Sequence, residues 1–204
     1  MERPVPEAIS LSDFLAWESQ QAERFEWIDG TVVHLDGVSD DHAAINANLT
    51  RLIREKLDAG PCFVRGSDRK LVPFDENDIA LGSFYSDLFV SCSAEDRKGA
   101  AAHFPCVVIE ILSDHVGGEF TKKRDAYMCS AKIVEYIIID STRQYAVRYW
   151  WTANRRLAAQ DFYRGPLPLS SLDMNITFGQ ISAGTSVPFV VHPVHEDSQT
   201  MSGD

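Results

Sequence analysis

One strand-like segment of the sequence, PCVVIEIL at residues 105–112, carries a carboxylate among apolar side chains. Its run of apolar letters is typical of a buried strand, and Glu110 stands in the middle of it. A carboxylate that leaves water without a partner costs several kcal/mol, or it takes up a proton. This segment therefore constrains the fold strongly, because the rest of the chain must bring a partner to Glu110 inside the core.

A second acid interrupts a second apolar segment, FYSDLFV at residues 84–90. Alternation along a strand places Tyr85, Asp87 and Phe89 on one face. If this strand lies beside the Glu110 strand, the two carboxylates converge and repel each other unless a cation separates them. Mg²⁺ is the natural candidate, because one or two carboxylates, waters and phosphate oxygens hold it. In the alternative interpretation, Asp87 ends its strand in a turn and Glu110 pairs with an arginine or lysine.

A lysine follows on the next predicted helix, in the segment EFTKKRDAY at residues 119–127. On a helix, Lys123 shares a face with Phe120 and Tyr127, whereas Lys122 points about 100 degrees away. Lys123 can therefore reach the carboxylate pair, where an ammonium orients an attacking water or balances charge on a phosphate. The alternative is a solvated helix on which Lys123 pairs with Glu119.

The remaining segments predict an α/β (α+β) domain with a mixed β-sheet and few helices. Amphipathic helices are predicted over residues 10–20 and 39–59, and the pair Asp29-Gly30 predicts a hairpin. Strands are predicted in CFVRGSDRKLVPF, VEYIIID, YAVRYWW, RLAAQDFY and MNITF, besides the two that carry the acids. We expect a single domain over residues 1–190 and a flexible tail over residues 191–204.

Composition narrows the classes of function. The chain has 204 residues and a net charge of -11, which excludes binding to nucleic acid through overall charge but not through a small patch or a divalent ion. No apolar run is long enough to cross a bilayer and no secretory signal is visible, so we expect a cytoplasmic protein. The four cysteines are widely spaced, and we expect buried thiols rather than a zinc site or disulfides.

Seven segments in order resemble the Uma-two family, a branch of the PD-(D/E)XK nuclease superfamily with a restriction-endonuclease-like core. They are SLSDFLAW, RFEWIDGTVV, DHAAINANL, YSDLFV, VVIEILS, KRDAY and VEYIIIDS. No single segment is specific, but their order and spacing over residues 8–180 make the resemblance strong. It implies a metal-dependent endonuclease that hydrolyses phosphodiester bonds of DNA, with Mg²⁺ as cofactor and Mn²⁺ as a substitute.

The resemblance also implies roles for individual residues. The acid of the family's PD motif falls on Asp87, and the acid of its next strand falls on Glu110. The family's helix lysine falls on Lys123 within K-x-x-x-Y, and an accessory acid falls on Glu26. The histidine at the start of the family's long helix falls on His42, and the tyrosine of the K-x-x-x-Y pattern falls on Tyr127. As a mechanism, we expect the backbone carbonyl of Ile111 to join Asp87 and Glu110 as a metal ligand.

Three departures from the family pattern are visible. Ser86 replaces the proline of PD, which only stiffens the backbone ahead of the acid. Leu112 stands where other nucleases of the superfamily carry a lysine, so Lys123 has to supply the positive group alone. The segment SDHVGGEF replaces a loop that is commonly rich in serine and proline.

Two other functions remain open. The scaffold can serve as a non-catalytic nucleic-acid or protein-binding module, which the negative net charge favours and the complete set of acids with Lys123 disfavours. A metal-dependent hydrolase of small phosphorylated substrates would have a closed, narrow pocket.

His42 can cap its helix instead of acting near the scissile phosphate. For a nuclease that cuts both strands of a duplex, a homodimer is the simplest assembly.

Overall fold

A computed structural model describes residue 6, residues 9–112 and residues 118–188, with the backbone alone for residues 118–120. The helices are α1 (Leu11–Glu18), α2 (Asp40–Leu57), α3 (Gly118–Cys129) and α4 (Phe178–Ile181). The strands are β1 (Phe25–Ile28), β2 (Thr31–His34), β3 (Phe63–Gly66), β4 (Lys70–Leu71), β5 (Leu88–Ser91), β6 (Ala101–Ala102), β7 (Pro105–Leu112), β8 (Glu135–Asp140), β9 (Ala146–Trp151), β10 (Leu157–Phe162), β11 (Pro166–Leu169) and β12 (Met174–Thr177). The predicted tail over residues 191–204 lies outside the described residues, so that prediction and the domain boundary stay predictions.

Local sequence accounts for the elements around the site. Ser39 caps α2, because its hydroxyl accepts a hydrogen bond from the backbone N–H of His42 at 3.2 Å. Asp29 and Gly30 join β1 to β2 with φ angles of 51° and 83°. Two positive φ angles in succession suit the hairpin turn that Asp-Gly pairs favour, so the predicted hairpin forms.

Six strands form the central sheet, in the order β10-β9-β8-β7-β5-β3. β7 and β8 are parallel, and the other neighbours are antiparallel. Leu88 pairs with Ile109 where β5 meets β7, so Asp87 lies beside Glu110 just past the last pair of this ladder. Because opposite residues of an antiparallel pair share a face, the register brings the two acids together.

Helices and small sheets cover both faces of the central sheet. α2, β11, β12 and α4 close one face over a core that includes Leu49, Ile109 and Ile137. α3 and the β1-β2 hairpin close the other face, around Phe84, Tyr127 and Tyr136. The predicted fold class, a mixed α/β sheet flanked by helices, is therefore confirmed.

The cysteines differ from the expectation. Cys62 and Cys92 form a disulfide, and of the other two, Cys106 is half-buried while Cys129 is exposed. The expectation of four buried thiols was wrong, because Phe63 pairs with Ser91 and the next residue outward on each strand is a cysteine. Register between strands that are distant in sequence is not visible in cysteine spacing.

Among the described residues, no helix is both long and apolar enough to span a membrane.

Candidate active site

Three carboxylates converge on the α3 side of the central sheet. Asp87 directly precedes β5, Glu110 lies in β7, and Glu26 lies in β1 of the covering hairpin. Glu26, Glu110 and Asp87 are 3%, 4% and 9% exposed. Buried acids at this density require compensating positive charge or hydrogen-bond donors, and both are present.

Lys123 supplies the positive charge. Its Nζ lies 2.7 Å from Glu26 Oε1 and 2.9 Å from Glu110 Oε1, so one ammonium bridges two acids. Burial alone would lower the pKa of Lys123, but the Glu110 and Glu26 carboxylates outweigh it and raise that pKa above its ordinary value. The ammonium is therefore charged at every physiological pH. The interpretation of Lys123 as a solvated surface residue does not fit these contacts.

Glu110 is held by two donors and is still hard to ionise. Its Oε1 accepts hydrogen bonds from Lys123 and, at 3.0 Å, from the hydroxyl of Tyr127. Burial raises the pKa of Glu110 to about 7, because desolvation together with the nearby charges of Asp87 and Glu26 outweighs the effect of Lys123. Tyr127 is fully buried, and its pKa is raised well above the ordinary value, chiefly by burial. It therefore stays a neutral donor that orients Glu110.

Asp87 is fixed by a hydrogen bond on each oxygen. His42 Nε2 lies 2.8 Å from Oδ1, and the backbone N–H of Ile111 donates to Oδ2 at 2.7 Å. One turn along α2 from His42, the Asn46 side chain donates to the backbone carbonyl of Asp87 at 3.1 Å. These contacts bring together the predicted residues His42, Asp87 and Ile111, and they add Asn46.

An open cleft of about 840 Å³ reaches these groups. Asp87, Glu110, Lys123 and His42 line it, whereas Glu26 and Tyr127 lie behind the lining residues. The six predicted side chains thus divide into four that face the cleft and two that support them. Tyr127, which the sequence assigned to binding, is placed to hold Glu110.

The acids suit a hard divalent cation. Mg²⁺ takes one or two carboxylates and completes its shell with waters and substrate phosphate. Asp87 and Glu110 offer carboxylate oxygens at the cleft. Within the described ranges no three His, Cys, Asp or Glu side chains form a preformed metal site, so water and phosphate would have to supply the remaining ligands.

Two supporting contacts were not predicted from the sequence. The backbone N–H of Tyr85 donates to Glu26 Oε1 at 2.7 Å, which fixes the acid that anchors Lys123. Asn46 follows His42 by four residues, so helical spacing places both side chains on one face of α2. That spacing was the one available signal for Asn46, and backbone donors leave no signal in a sequence.

Two cyanobacterial proteins are similar to this chain in sequence. "Uncharacterized protein slr1290" of Synechocystis sp. is 30% identical over 145 residues, which cover 68% of this chain and 72% of that protein. "Uncharacterized protein sll1609" of the same organism is 26% identical over 136 residues, covering 65% and 75% of the two chains.

A solved structure and a family model identify the fold and the family. The crystal structure of "a putative nuclease belonging to DUF820" from Anabaena variabilis matches with a TM-score of 0.67 at 17% identity, over 85% of this chain and 97% of that one. At this identity the likeness shows the fold. The Uma2 family model, described as "Putative restriction endonuclease", matches residues 11–176. This chain belongs to the Uma2 family, and family and fold together indicate a restriction-endonuclease-like nuclease.

Proposed function

We propose that this chain is a Mg²⁺-dependent endonuclease that hydrolyses phosphodiester bonds of DNA, with Mn²⁺ as a substitute ion. The observation that carries the proposal is the Lys123 ammonium, 2.7 Å from Glu26 and 2.9 Å from Glu110, in a cleft that Asp87 also lines. Buried carboxylates with an adjacent lysine are the groups that metal-assisted phosphodiester hydrolysis uses.

Asp87 and Glu110, with the backbone carbonyl of Ile111, would hold one or two Mg²⁺ ions. A bound ion would supply a water of lowered pKa and positive charge beside the scissile phosphate. His42 and the Ile111 N–H keep the Asp87 carboxylate in one orientation through contacts of 2.8 and 2.7 Å. This support suits a ligand that has to be preorganised.

Lys123 has the role of balancing charge on the reacting phosphate and orienting the attacking water. Its ammonium lies at the floor of the cleft and is anchored from behind by Glu26, which itself accepts the Tyr85 N–H at 2.7 Å. A fixed cation in a site of low dielectric stabilises developing negative charge more strongly than one in water. Tyr127 has a positioning role, because it touches Glu110 and does not line the cleft.

The test combines calorimetry with cleavage. We expect Mg²⁺ and Mn²⁺ to bind the wild-type protein, and DNA, supplied as a single-stranded circle and as supercoiled plasmid, to be cut in their presence but not with excess chelator. Asp87→Ala should lose the heat of metal binding and at least about a hundredfold in cleavage rate. Asp58→Ala removes an exposed acid at the C-terminal end of α2 and should leave both unchanged.

The rival interpretation, a non-catalytic binding module, gives a different result in the same experiment. It predicts no metal uptake that depends on Asp87 and no cleavage with either ion. DNA cleavage that persists in Asp87→Ala would also contradict the proposal, because the carboxylate would then have no part in the reaction.

We also propose that the chain forms a homodimer through β10. Among the described strands, β10 has a partner on one side only, so its other edge is open to pairing. Val134, Trp151 and Leu157 are 47%, 42% and 46% exposed. They lie side by side at one end of β8, β9 and β10, because Trp151 pairs with Leu157 and Val134 directly precedes Glu135, which pairs with Trp150. A second copy can pair with this edge about a two-fold axis, because an antiparallel strand pair is self-complementary.

Sedimentation velocity tests the dimer. We expect the wild-type chain to sediment as a dimer and Leu157→Lys as a monomer, because a lysine at the open edge opposes strand pairing. Ile79→Lys is the matched control, since Ile79 is also exposed but lies outside the central sheet, and it should remain dimeric. A monomeric wild-type protein would overturn the proposal.

A further inference from the structure

The floor of the cleft is buried, whereas its rim is exposed to solvent. At the floor, the side chains of Asp87, Glu110 and Lys123 are 13%, 6% and 13% exposed. Three acids that also line the cleft, Glu23, Asp36 and Asp68, have side chains exposed by 61%, 95% and 90%. A phosphate therefore has to pass an acidic rim to reach the buried reacting groups.

An intact duplex is poorly suited to this entrance. Duplex DNA carries one negative charge per about 1.7 Å of its axis, and both strands would approach the rim together. The cleft of about 840 Å³ is open, but its reacting groups lie at a buried floor. A single flexible strand can instead lower one phosphate at a time into the cleft.

One wall of the cleft offers a cation and an aromatic ring. Arg24 and Lys123 are the two Arg or Lys side chains that line the cleft among the described residues. The Arg24 guanidinium lies over the Tyr85 ring, 5.6 Å from its centroid, and it donates to the Ser67 carbonyl at 3.1 Å and to the carboxylate of Asp68. Its side chain is 47% exposed, so it remains open to an incoming phosphate.

Tyr85 is held rigidly behind Arg24. Its hydroxyl donates to Glu18 at 2.8 Å, its backbone N–H donates to Glu26 at 2.7 Å, and Glu18 also pairs with Lys70. A fixed aromatic ring beside a guanidinium is the combination on which proteins hold single-stranded nucleic acid, through stacking and phosphate contact.

Arg24 lies close in sequence to Glu26, the acid that anchors Lys123 at the floor of the cleft. Arg24 precedes Glu26 by two residues where β1 begins, and the pairing with β2 extends to it, since Leu35 N–H donates to the Arg24 carbonyl at 3.1 Å. Two extended residues span about 7 Å and return to the same face. Arg24 is thus placed to hold a phosphate neighbouring the one that Lys123 meets.

We infer that Arg24 and Tyr85 form a binding wall for single-stranded DNA, and that unpaired DNA, rather than intact duplex, is the substrate of this cleft. The inference rests on the proposed function and names the substrate class of the same site. Arg24 contacts a substrate phosphate. Tyr85 positions the Arg24 guanidinium and offers a surface on which a base can stack.

Binding and cleavage are measured separately to test the inference. The probe is a fluorescein-labelled DNA strand of about 20 nucleotides, longer than a typical single-strand site, alone or annealed to its complement. In Ca²⁺, a divalent ion used here for binding without turnover, fluorescence anisotropy should show at least about tenfold tighter binding of the single strand. Arg24→Gln should weaken that binding about tenfold. It should also reduce the slope of the logarithm of the binding constant against the logarithm of salt concentration by about one, the value expected for one lost phosphate contact. Arg51→Gln removes an exposed, ion-paired arginine of α2 and should leave binding unchanged.

Cleavage of the same probes in Mg²⁺ distinguishes the two proposals. We expect the single strand to be cut at least about tenfold faster than the duplex, with Arg24→Gln raising KM more than it lowers kcat. Equal binding and equal cutting of the two probes would overturn the inference, as would an Arg24→Gln variant that binds like the wild type. Selective, Arg24-dependent binding without any cleavage would overturn the proposed nuclease function and leave the single-strand wall supported.

Discussion

Replacing Lys123 by methionine should remove both activity and a large part of the stability. Glu26 and Glu110, which are 3% and 4% exposed, would keep their burial but lose the ammonium that bridges them. Breaking a buried ion pair by removing one partner typically costs about 3–5 kcal/mol. Urea unfolding should report that loss in the free energy of unfolding, and cleavage of single-stranded DNA should fall by at least about a hundredfold.

A combined variant separates the loss of stability from the loss of cleavage. Lys123→Met together with Glu26→Gln and Glu110→Gln removes the uncompensated charges, so most of the free energy of unfolding should return while cleavage stays absent. Lys122→Met is the matched control, because the neighbouring lysine is 53% exposed and lies 3.7 Å from the exposed Asp29. An exposed pair of this kind contributes about 0–1 kcal/mol. A Lys123→Met protein as stable and active as Lys122→Met would contradict the assignment.

The sequence predicted the main positions of the site because they depend on local periodicity. Helical spacing placed Lys123 on the inward face of α3, and strand alternation placed Asp87 on the face of Phe89. The register of β5 on β7 brings Asp87 beside Glu110, as the interrupted apolar segments suggested. The functional roles of these residues stay predictions.

Other contacts depend on distant pairing and could not be predicted. Glu26 was assigned as an accessory acid, but that it anchors Lys123 and accepts the Tyr85 N–H depends on how the β1-β2 hairpin packs on the sheet. The Cys62–Cys92 disulfide depends on the register of β3 on β5. Neither packing nor register between separated segments leaves a periodic pattern in one sequence.

The contribution of Glu110 to the stability of the metal-free protein should fall as pH rises from about 4.5 to about 7. The pKa of Glu110 is about 7 in the folded chain, against an ordinary value of 4.5, so the folded state binds the proton more tightly than the unfolded state. The resulting stabilisation is fully present below pH 4.5 and is lost as pH rises through 7. A shift of this size corresponds to a change on the order of 3 kcal/mol.

Glu110→Gln isolates this contribution, because glutamine keeps the shape of the side chain without the titration. Urea unfolding of both proteins in chelator, across pH 4 to 8, should give a stability difference that changes through this window and levels off on either side. Glu55→Gln removes an exposed acid paired with Arg51 and should follow the wild-type curve. Parallel curves for wild type and Glu110→Gln would mean that Glu110 ionises in the folded chain as easily as in water. Its hydrogen bonds from Lys123 and Tyr127 would then have to offset the whole cost of burial beside Asp87 and Glu26.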